Sequence, residues 1–153
     1  SEIIFAQGPQ AMADISAYIA KLPMVPNNTV GPGTDLAKGK QLYVENCAKC
    51  HCKGGEGDAE EFYPRIHGQH FQYLQRQMLW IKNGKRRNAD DKMVKQIEGF
   101  SLQDIESISD YVSRLKPPKE LVADHPDWRN PDFSSGFVTA PQVQEELKNE
   151  DAK

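Results

Sequence analysis

The chain has 153 residues, of which 38% are hydrophobic, and its 19 basic and 22 acidic residues give a formal net charge of −3. This length fits one domain, or one domain with extensions, around a small core. The near-balanced charge gives no reason to expect nucleic acid as a partner, and the longest apolar stretch is far too short to span a membrane.

Helical spacing of apolar residues first appears in residues 11–22, which we predict to form a short helix. Residues 23–34 contain three prolines and two glycines, so we predict a linker there. A second helix is predicted over residues 35–46, with Asp35 as a plausible start. Residues 52–68 are rich in glycine and charge and are predicted to be a loop.

The second half of the chain contains two further predicted helices. Residues 69–83 form the first, and residues 84–101 after it are predicted to be mostly loop, with a helical turn near 93–97. Residues 102–115 form the clearest helix, with Ser101 as its cap. Its predicted apolar face consists of Leu102, Ile105, Ile108, Val112 and Leu115. Residues 117–153 carry a net charge of −4 and are predicted to be an extended acidic tail.

The strongest chemical signal is the run Cys47-Ala48-Lys49-Cys50-His51. Two cysteines three apart, followed at once by histidine, form the pattern for covalent haem attachment. Residues three apart share one face of a helical turn, so both sulfurs can meet the vinyl groups of one porphyrin edge. The adjoining histidine can then present an imidazole nitrogen to the iron.

Two other interpretations of these residues are weaker. A structural zinc site needs four ligands, usually in two separated pairs, whereas all three cysteines lie between Cys47 and Cys52. A thioredoxin-type redox pair needs a strand–helix–strand context, and no strand is predicted before Cys47.

An electron-transfer haem also needs a second axial ligand. Met93 lies in the polar stretch Asn88-Ala89-Asp90-Asp91-Lys92-Met93, predicted to be a loop, where a thioether has little packing purpose. A methionine ligand raises the haem potential and suits a carrier. The remaining candidates are Met78, whose default role is core filler, and Met24, Met12, His67, His70 and His125.

Residues 35–115 resemble a class I c-type cytochrome, most closely the bacterial branch that often occurs as two fused haem domains. Beyond the haem motif, the resemblance rests on Pro64-Arg65-Ile66-His67-Gly68-Gln69, on Tyr73-Leu74, on residues 88–93 and on the helix ending at Leu115. It implies an all-α fold of three to four helices around the haem, with Gly39 meeting Tyr111 where the first and last helices cross.

The resemblance also implies the role of each site residue. Cys47 and Cys50 would form the thioethers, His51 would be the proximal iron ligand and Met93 the distal one. The Pro64 carbonyl would accept the other ring N–H of His51 and fix its tautomer. Cys52 stands where the family usually has glycine, and is either a small loop residue or an exposed thiol able to form an intermolecular disulfide. His67 stands where a small residue is common, and is expected to support the site or lie at the surface.

The resulting prediction is a periplasmic one-electron carrier, not an enzyme, with one covalent haem c and redox proteins as donor and acceptor. No signal peptide is recognisable at Ser1, so we expect the chain to start after one was removed. The predicted division is 1–34 as helical arm and linker, 35–116 as haem domain and 117–153 as tail. The arm resembles the end of a preceding haem domain, and we expect it to pack on its own haem domain or on another chain.

Three alternatives remain open at this stage. The chain could be the haem-bearing electron-entry subunit of a larger dehydrogenase or oxidase. It could be an enzyme or gas sensor with an open haem site, if Met93 does not bind iron. A homodimer could form through the N-terminal arm or through Cys52.

Overall fold

The computed structural model describes residues 8–125 and 127–131, whose regular secondary structure is helical apart from two isolated β-bridges. The predicted all-α fold is confirmed. The helices are α1 (Gly8–Lys21), α2 (Leu36–Asn46), α3 (Ala48–His51), α4 (Phe71–Lys82), α5 (Asp91–Ile97) and α6 (Leu102–Ser113), followed by a 3-10 turn at Lys119–Leu121.

The chain divides into two compact units, one spanning Pro23–Pro126 and the other containing α1 and residues 127–131. In the second unit the Asn130 side chain donates to the Tyr18 hydroxyl at 2.6 Å. No side chain of α1 is buried. The surface on which this helix packs, and the division into 1–34, 35–116 and 117–153, stay predictions, because parts of both chain ends lie outside the described residues.

Side-chain caps define where α2 and α6 begin. The Asp35 carboxylate accepts the Lys38 amide at 3.2 Å and caps α2. At the start of α6, Ser101 is the cap, as predicted, and forms a reciprocal capping box with Asp104. The Lys38 ammonium then lies 2.7 Å from Asp104 and ties the two helix beginnings together.

The α2–α6 crossing depends on Gly39. A Cβ atom at this position would lie 2.1 Å from the Ser107 carbonyl oxygen and 3.0 Å from the Tyr111 Cβ, so the predicted approach of Gly39 to Tyr111 is present. Beside the crossing, the Tyr43 and Tyr111 rings pack with centroids 5.5 Å apart. The two helices therefore approach as closely as their backbones allow.

A buried cluster of α2, α4, α5 and α6 side chains forms the core. Its members include Tyr43, Leu74, Met78, Ile81, Ile97, Ile105, Ile108 and Val112. Met78 fills core space, in agreement with its default role. The predicted apolar face of α6 is wrong at Leu102, which is 70% exposed because it begins the helix and precedes the buried stretch.

The loop predicted over residues 84–101 contains a complete short helix, α5, so Met93 lies on a helix and not in a loop. The reason is local: Asp90 caps α5 by accepting the Lys92 amide at 2.8 Å. Ile97, at the end of α5, is fully buried and attaches the helix to the core.

Residues 23–33, which lie within the predicted linker 23–34, run along the end of α6 and are called the strap here. The buried Asp110 carboxylate accepts the Gly33 amide and, at 3.0 Å, the Arg114 guanidinium. Arg114 also donates to the Gly31 carbonyl at 2.7 Å. Met24 pairs with the chain beyond α6, donating to the Leu121 carbonyl at 2.7 Å. The strap therefore belongs to the same compact unit as α2–α6.

Candidate haem site

The Cys47–His51 segment forms one tight helical turn directly after α2. The Cys50 and His51 amides both donate to the Cys47 carbonyl, at 3.2 and 2.9 Å. In such a turn the first and fourth residues share a face, so the Cys47 and Cys50 thiols lie on one side of α3. Neither thiol is in a disulfide.

The His51 ring is held by the backbone of a distant loop. Its Nδ1 atom lies 2.9 Å from the Pro64 carbonyl oxygen, and only 8% of the residue is exposed. This is the contact that the family resemblance implies. A carbonyl only accepts, so the bond requires the proton on Nδ1 and leaves the lone pair on Nε2. The ring is thereby set in one orientation and one tautomer.

Electrostatics argue against the thioredoxin-type interpretation. Burial, with a smaller contribution from Cys50, raises the pKa of the Cys47 thiol to about 11. A redox-active pair needs a lowered thiol pKa, because the thiolate is the nucleophile. Cys47 is 7% exposed and belongs to the hydrophobic core cluster. These apolar surroundings therefore favour an uncharged sulfur over a reactive thiolate.

The end of the turn depends on Tyr43, for which no role was predicted. Its hydroxyl donates to the Cys52 carbonyl at 2.6 Å, while its ring is completely buried. Desolvation by burial is the largest reason that the pKa of this phenol is raised, so it remains a neutral donor. A tyrosine on an otherwise apolar helix stripe is the signal that could have revealed it, since a buried hydroxyl needs a partner.

Cys52 adopts a backbone conformation that favours glycine. Its φ angle is +63°, and its Sγ atom lies 3.5 Å from the Gly57 carbonyl oxygen. The residue is half-buried. This explains why glycine suits the position, and cysteine carries a steric cost there.

Met93 lies on α5, half-buried against the core cluster that also contains Cys47. The other sulfur candidates are engaged elsewhere. Met78 Sδ lies 3.6 Å from the Ser109 hydroxyl inside the core, and Met24 Sδ lies 3.9 Å from the Arg65 guanidinium. Met12 lies on α1 in the other compact unit.

The histidine candidates also differ in their surroundings. His70 precedes α4 and accepts the Thr29 amide on Nδ1 at 3.0 Å. His67 is only 3% exposed, so of its two expected roles, the surface location is wrong and the supporting role stays a prediction. Its Nδ1 is the one buried side-chain N or O atom without a hydrogen-bond partner in the described part of the chain. Burial and then Arg65 lower the pKa of His67, against a smaller opposing effect of Glu56.

No helix among residues 8–125 and 127–131 has the length and apolarity needed to cross a bilayer. The same residues contain no group of three or more histidine, cysteine or acidic side chains arranged to hold a metal ion. The zinc interpretation therefore gains no support from the described geometry.

Comparison with known proteins places this geometry in a family. The cytochrome c family matches residues 36–116, just over half of the chain. Cytochrome c4 of Azotobacter vinelandii is 34% identical over 114 residues, which cover 69% of this chain and 54% of that protein. The Pseudomonas aeruginosa cytochrome c4 is 33% identical and is covered to 57%. The chain thus spans about half the length of these relatives.

Two further comparisons bear on fold and on function. The crystal structure of reduced cytochrome c4 from Pseudomonas stutzeri aligns with a TM-score of 0.51 at 25% identity, covering 58% of this chain and 52% of that one. A protein of Thiomonas intermedia named thiosulfate dehydrogenase electron acceptor is 35% identical over 72 residues, which cover 47% of this chain and 32% of that protein.

Cytochrome c domains carry haem c and act as electron-transfer proteins, not as enzymes. The family match covers α2 to α6 and includes the Cys47–His51 turn. The predicted resemblance to class I c-type cytochromes is confirmed by this match and by the helical fold. The chain belongs to the cytochrome c family.

Proposed function

We propose that this chain is a periplasmic one-electron carrier that uses a single covalently bound haem c, with His51 and Met93 as axial ligands. The observation that carries the proposal is the α3 turn, which places two thiols and a fixed imidazole next to one another. This donor set fits haem c, whose attachment takes two thioethers and one adjacent proximal nitrogen.

Cys47 and Cys50 would hold the haem, and His51 would bind the iron through Nε2. The hydrogen bond to the Pro64 carbonyl supports this role, since it keeps Nε2 unprotonated and prevents rotation of the ring. It also increases the electron density on the imidazole and strengthens it as a ligand. Pro64 would thus act on the iron through His51.

Met93 is the thioether best suited to the distal position. It lies on α5, which Asp90 caps at one end and the buried Ile97 anchors at the other. Met78 is already packed inside the core, so its removal from there would leave a cavity. A thioether ligand favours the ferrous state and raises the potential, which suits a carrier.

When bound, the haem supplies a one-electron couple, and the chain supplies its surroundings. Cys47 belongs to the hydrophobic core cluster, so apolar side chains would surround its thioether. Fixed elements carry the proposed ligands, so the coordination can remain the same in both oxidation states. The energetic cost of reorganisation on electron transfer is then small.

The absorption spectrum of the oxidised holoprotein tests the ligand assignment. Histidine–methionine ligation gives the ferric haem a weak sulfur-to-iron charge-transfer band at the far-red end of the visible spectrum. We expect this band in the native protein. Met93→Leu should abolish the band and allow the ferric protein to bind cyanide readily. Met78→Leu, which removes a thioether of similar volume from the core, should keep the band.

A different outcome would contradict the assignment. If the band is absent in the native protein and the ferrous form binds carbon monoxide readily, the haem has an open site and the carrier proposal fails. If Met78→Leu abolishes the band and Met93→Leu keeps it, the assignment of Met93 as the distal ligand is wrong. Haem quantification by the pyridine adduct, expected to give one haem per chain, tests the count independently.

The proposed partners are redox proteins, one as donor and one as acceptor. The match to a protein named as an electron acceptor of thiosulfate dehydrogenase supports this class of partner. The alternative is that the chain is a subunit of a larger oxidase or dehydrogenase. It is supported by a match to an oxidase subunit, FixP of Bradyrhizobium diazoefficiens, which is 36% identical over 52 residues, or 34% of this chain and 17% of that protein. Co-purification of a dehydrogenase or oxidase with the native protein would favour the subunit alternative.

A further inference from the structure

The side chain of Phe62 is almost completely exposed. Among the described large hydrophobic residues it has the highest exposed fraction, 91%, and Leu102 follows with 70%. Its φ angle is +60°, in the left-handed region that a phenylalanine rarely adopts. Neither packing nor backbone preference within this chain accounts for a phenylalanine at this position.

The loop that presents Phe62 is well ordered by hydrogen bonds. Asp58 and Tyr63 exchange two backbone hydrogen bonds of 2.9 and 2.8 Å across its base. The Asp58 carboxylate accepts the Glu60 and Glu61 amides at 2.9 and 3.2 Å. A Cβ at Gly57 would lie 2.4 Å from the Tyr63 carbonyl oxygen, so the two sides of the loop are in close contact. The backbone that carries Phe62 is therefore ordered before any partner arrives.

The same loop is strongly acidic. Residues 53–63, called the acidic loop here, contain one lysine and four carboxylates, all exposed, for a net charge of −3. The carboxylates are those of Glu56, Asp58, Glu60 and Glu61. Carboxylates alone would indicate only a solvated surface, but here they share one hydrogen-bonded loop with an exposed aromatic side chain. Aromatic residues are enriched in the cores of protein interfaces, and charged rims select the partner.

The acidic loop also lies close to the proposed haem ligand. Phe62 is two residues before Pro64, and the Pro64 carbonyl oxygen lies 2.9 Å from His51 Nδ1. A protein bound at Phe62 would thus be separated from the imidazole by two residues and one hydrogen bond.

We propose that Phe62 and the acidic loop form a docking surface for a basic redox partner protein, with Phe62 inserted into an apolar pocket ringed by lysine or arginine. This inference rests on the proposed carrier function. Charge complementarity selects a cationic protein surface, and the preformed loop lowers the entropic cost of binding. The same carboxylates repel anionic lipid headgroups, so the surface suits a protein better than a membrane.

Stopped-flow electron exchange of the holoprotein tests the proposal, with a lysine-rich mitochondrial-type cytochrome c as the cationic protein probe and ferricyanide as the small probe. Phe62→Gly removes the ring and fits the positive φ angle. We expect it to lower the second-order rate constant with the protein probe by about fivefold to tenfold at low ionic strength. The rate with ferricyanide should not fall. Leu102→Ala, which truncates the next most exposed apolar side chain, is the matched control and should change neither rate.

Charge reversal tests the electrostatic part. The double variant Glu60→Lys/Glu61→Lys should lower the rate with the cationic probe by about tenfold and remove most of its decrease with added salt. Equal effects of Phe62→Gly and Leu102→Ala on the protein probe would overturn the docking proposal. An unchanged salt dependence in the charge-reversal variant would also overturn it.

Two further results separate the possible failures. If the native protein exchanges electrons with ferricyanide and Phe62→Gly has no effect on the protein probe, the docking surface is wrong while the carrier function stands. If the native protein exchanges electrons with neither probe, the carrier function itself fails. Phe62-dependent co-sedimentation with zwitterionic lipid vesicles, without an effect on the protein probe, would assign the surface to a membrane and overturn the proposal.

Discussion

Replacing Gly39 with alanine should destabilise the haem domain at the α2–α6 crossing. The added Cβ would lie 2.1 Å from the Ser107 carbonyl oxygen and 2.7 Å from its carbon, both backbone atoms. Ordinary contact begins at 3.4 Å, so the helices would have to separate by about 1.3 Å. Since Tyr43 and Tyr111 pack beside this crossing, the separation would also loosen their contact.

Two opposing effects determine the magnitude. Alanine is a better helix former than glycine by about 1 kcal/mol in a helix interior. Overpacking against a rigid backbone costs about 3 kcal/mol at the upper end of the usual range, and that end applies because Ser107 is held within α6. The expected net loss is about 2 kcal/mol in the free energy of unfolding.

Guanidinium denaturation of the holoprotein, followed by far-ultraviolet circular dichroism, measures this loss. With a slope of about 3 kcal/mol per molar, the midpoint should fall by about 0.7 M. Gly99→Ala is the matched control, because its added Cβ would meet nothing within 4 Å. It should be neutral or slightly stabilising. A Gly39→Ala midpoint equal to or above that of the native protein would refute the steric argument.

Two further predictions concern local electrostatics and backbone strain. The hydrogen bond from Lys38, followed by those from Ser101, lowers the pKa of Asp104 from 3.8 to about 2, so its stabilising effect is complete above pH 4 and is lost as the pH falls to 2. Asp104→Asn should therefore cost about 1 kcal/mol at pH 7 and progressively less below pH 4 in denaturation experiments. The exposed Glu106→Gln, on the same helix, is the control, and a loss that does not change with pH would contradict this assignment. Cys52→Gly should raise the free energy of unfolding by about 0.5–1 kcal/mol, because it relieves the +63° φ angle, whereas Cys52→Ala should not. An equal gain in both variants would show that the sulfur, and not the backbone, carries the cost.

The helical regions were predictable because their signals are local. The capping box of Ser101 and Asp104 and the spacing of Ile105, Ile108 and Val112 are sufficient to place α6. The Cys47–His51 motif likewise locates the haem turn, since covalent attachment restricts both residue type and spacing. Helix α5 was predicted only as a helical turn near 93–97, because it is short and polar, with Ile97 as its one buried residue.

Contacts made by backbone atoms between distant segments were not predictable. The bond from the Gly33 amide to Asp110 joins residues 77 positions apart, and no periodicity in the sequence indicates it. Asp110 and Ser113 are polar residues of α6 that are nonetheless buried, at 2% and 1% exposure, because the strap covers them. The positive φ angles of Cys52 and Phe62 were equally hidden, since neither residue type signals a left-handed conformation.

The pairing of the strap with the chain beyond α6 has a consequence for modular architecture. Met24 donates to the Leu121 carbonyl and accepts the Ala123 amide at 2.9 Å, so the first and last segments of the compact unit are immediate neighbours. A domain that the chain enters and leaves at one point can be inserted into a loop of another protein without disturbing its host. It can also be permuted, with new ends opened at a surface loop and the old ones joined by a short bridge. The adjacent ends of this unit therefore meet the geometric requirement for domain insertion and for circular permutation.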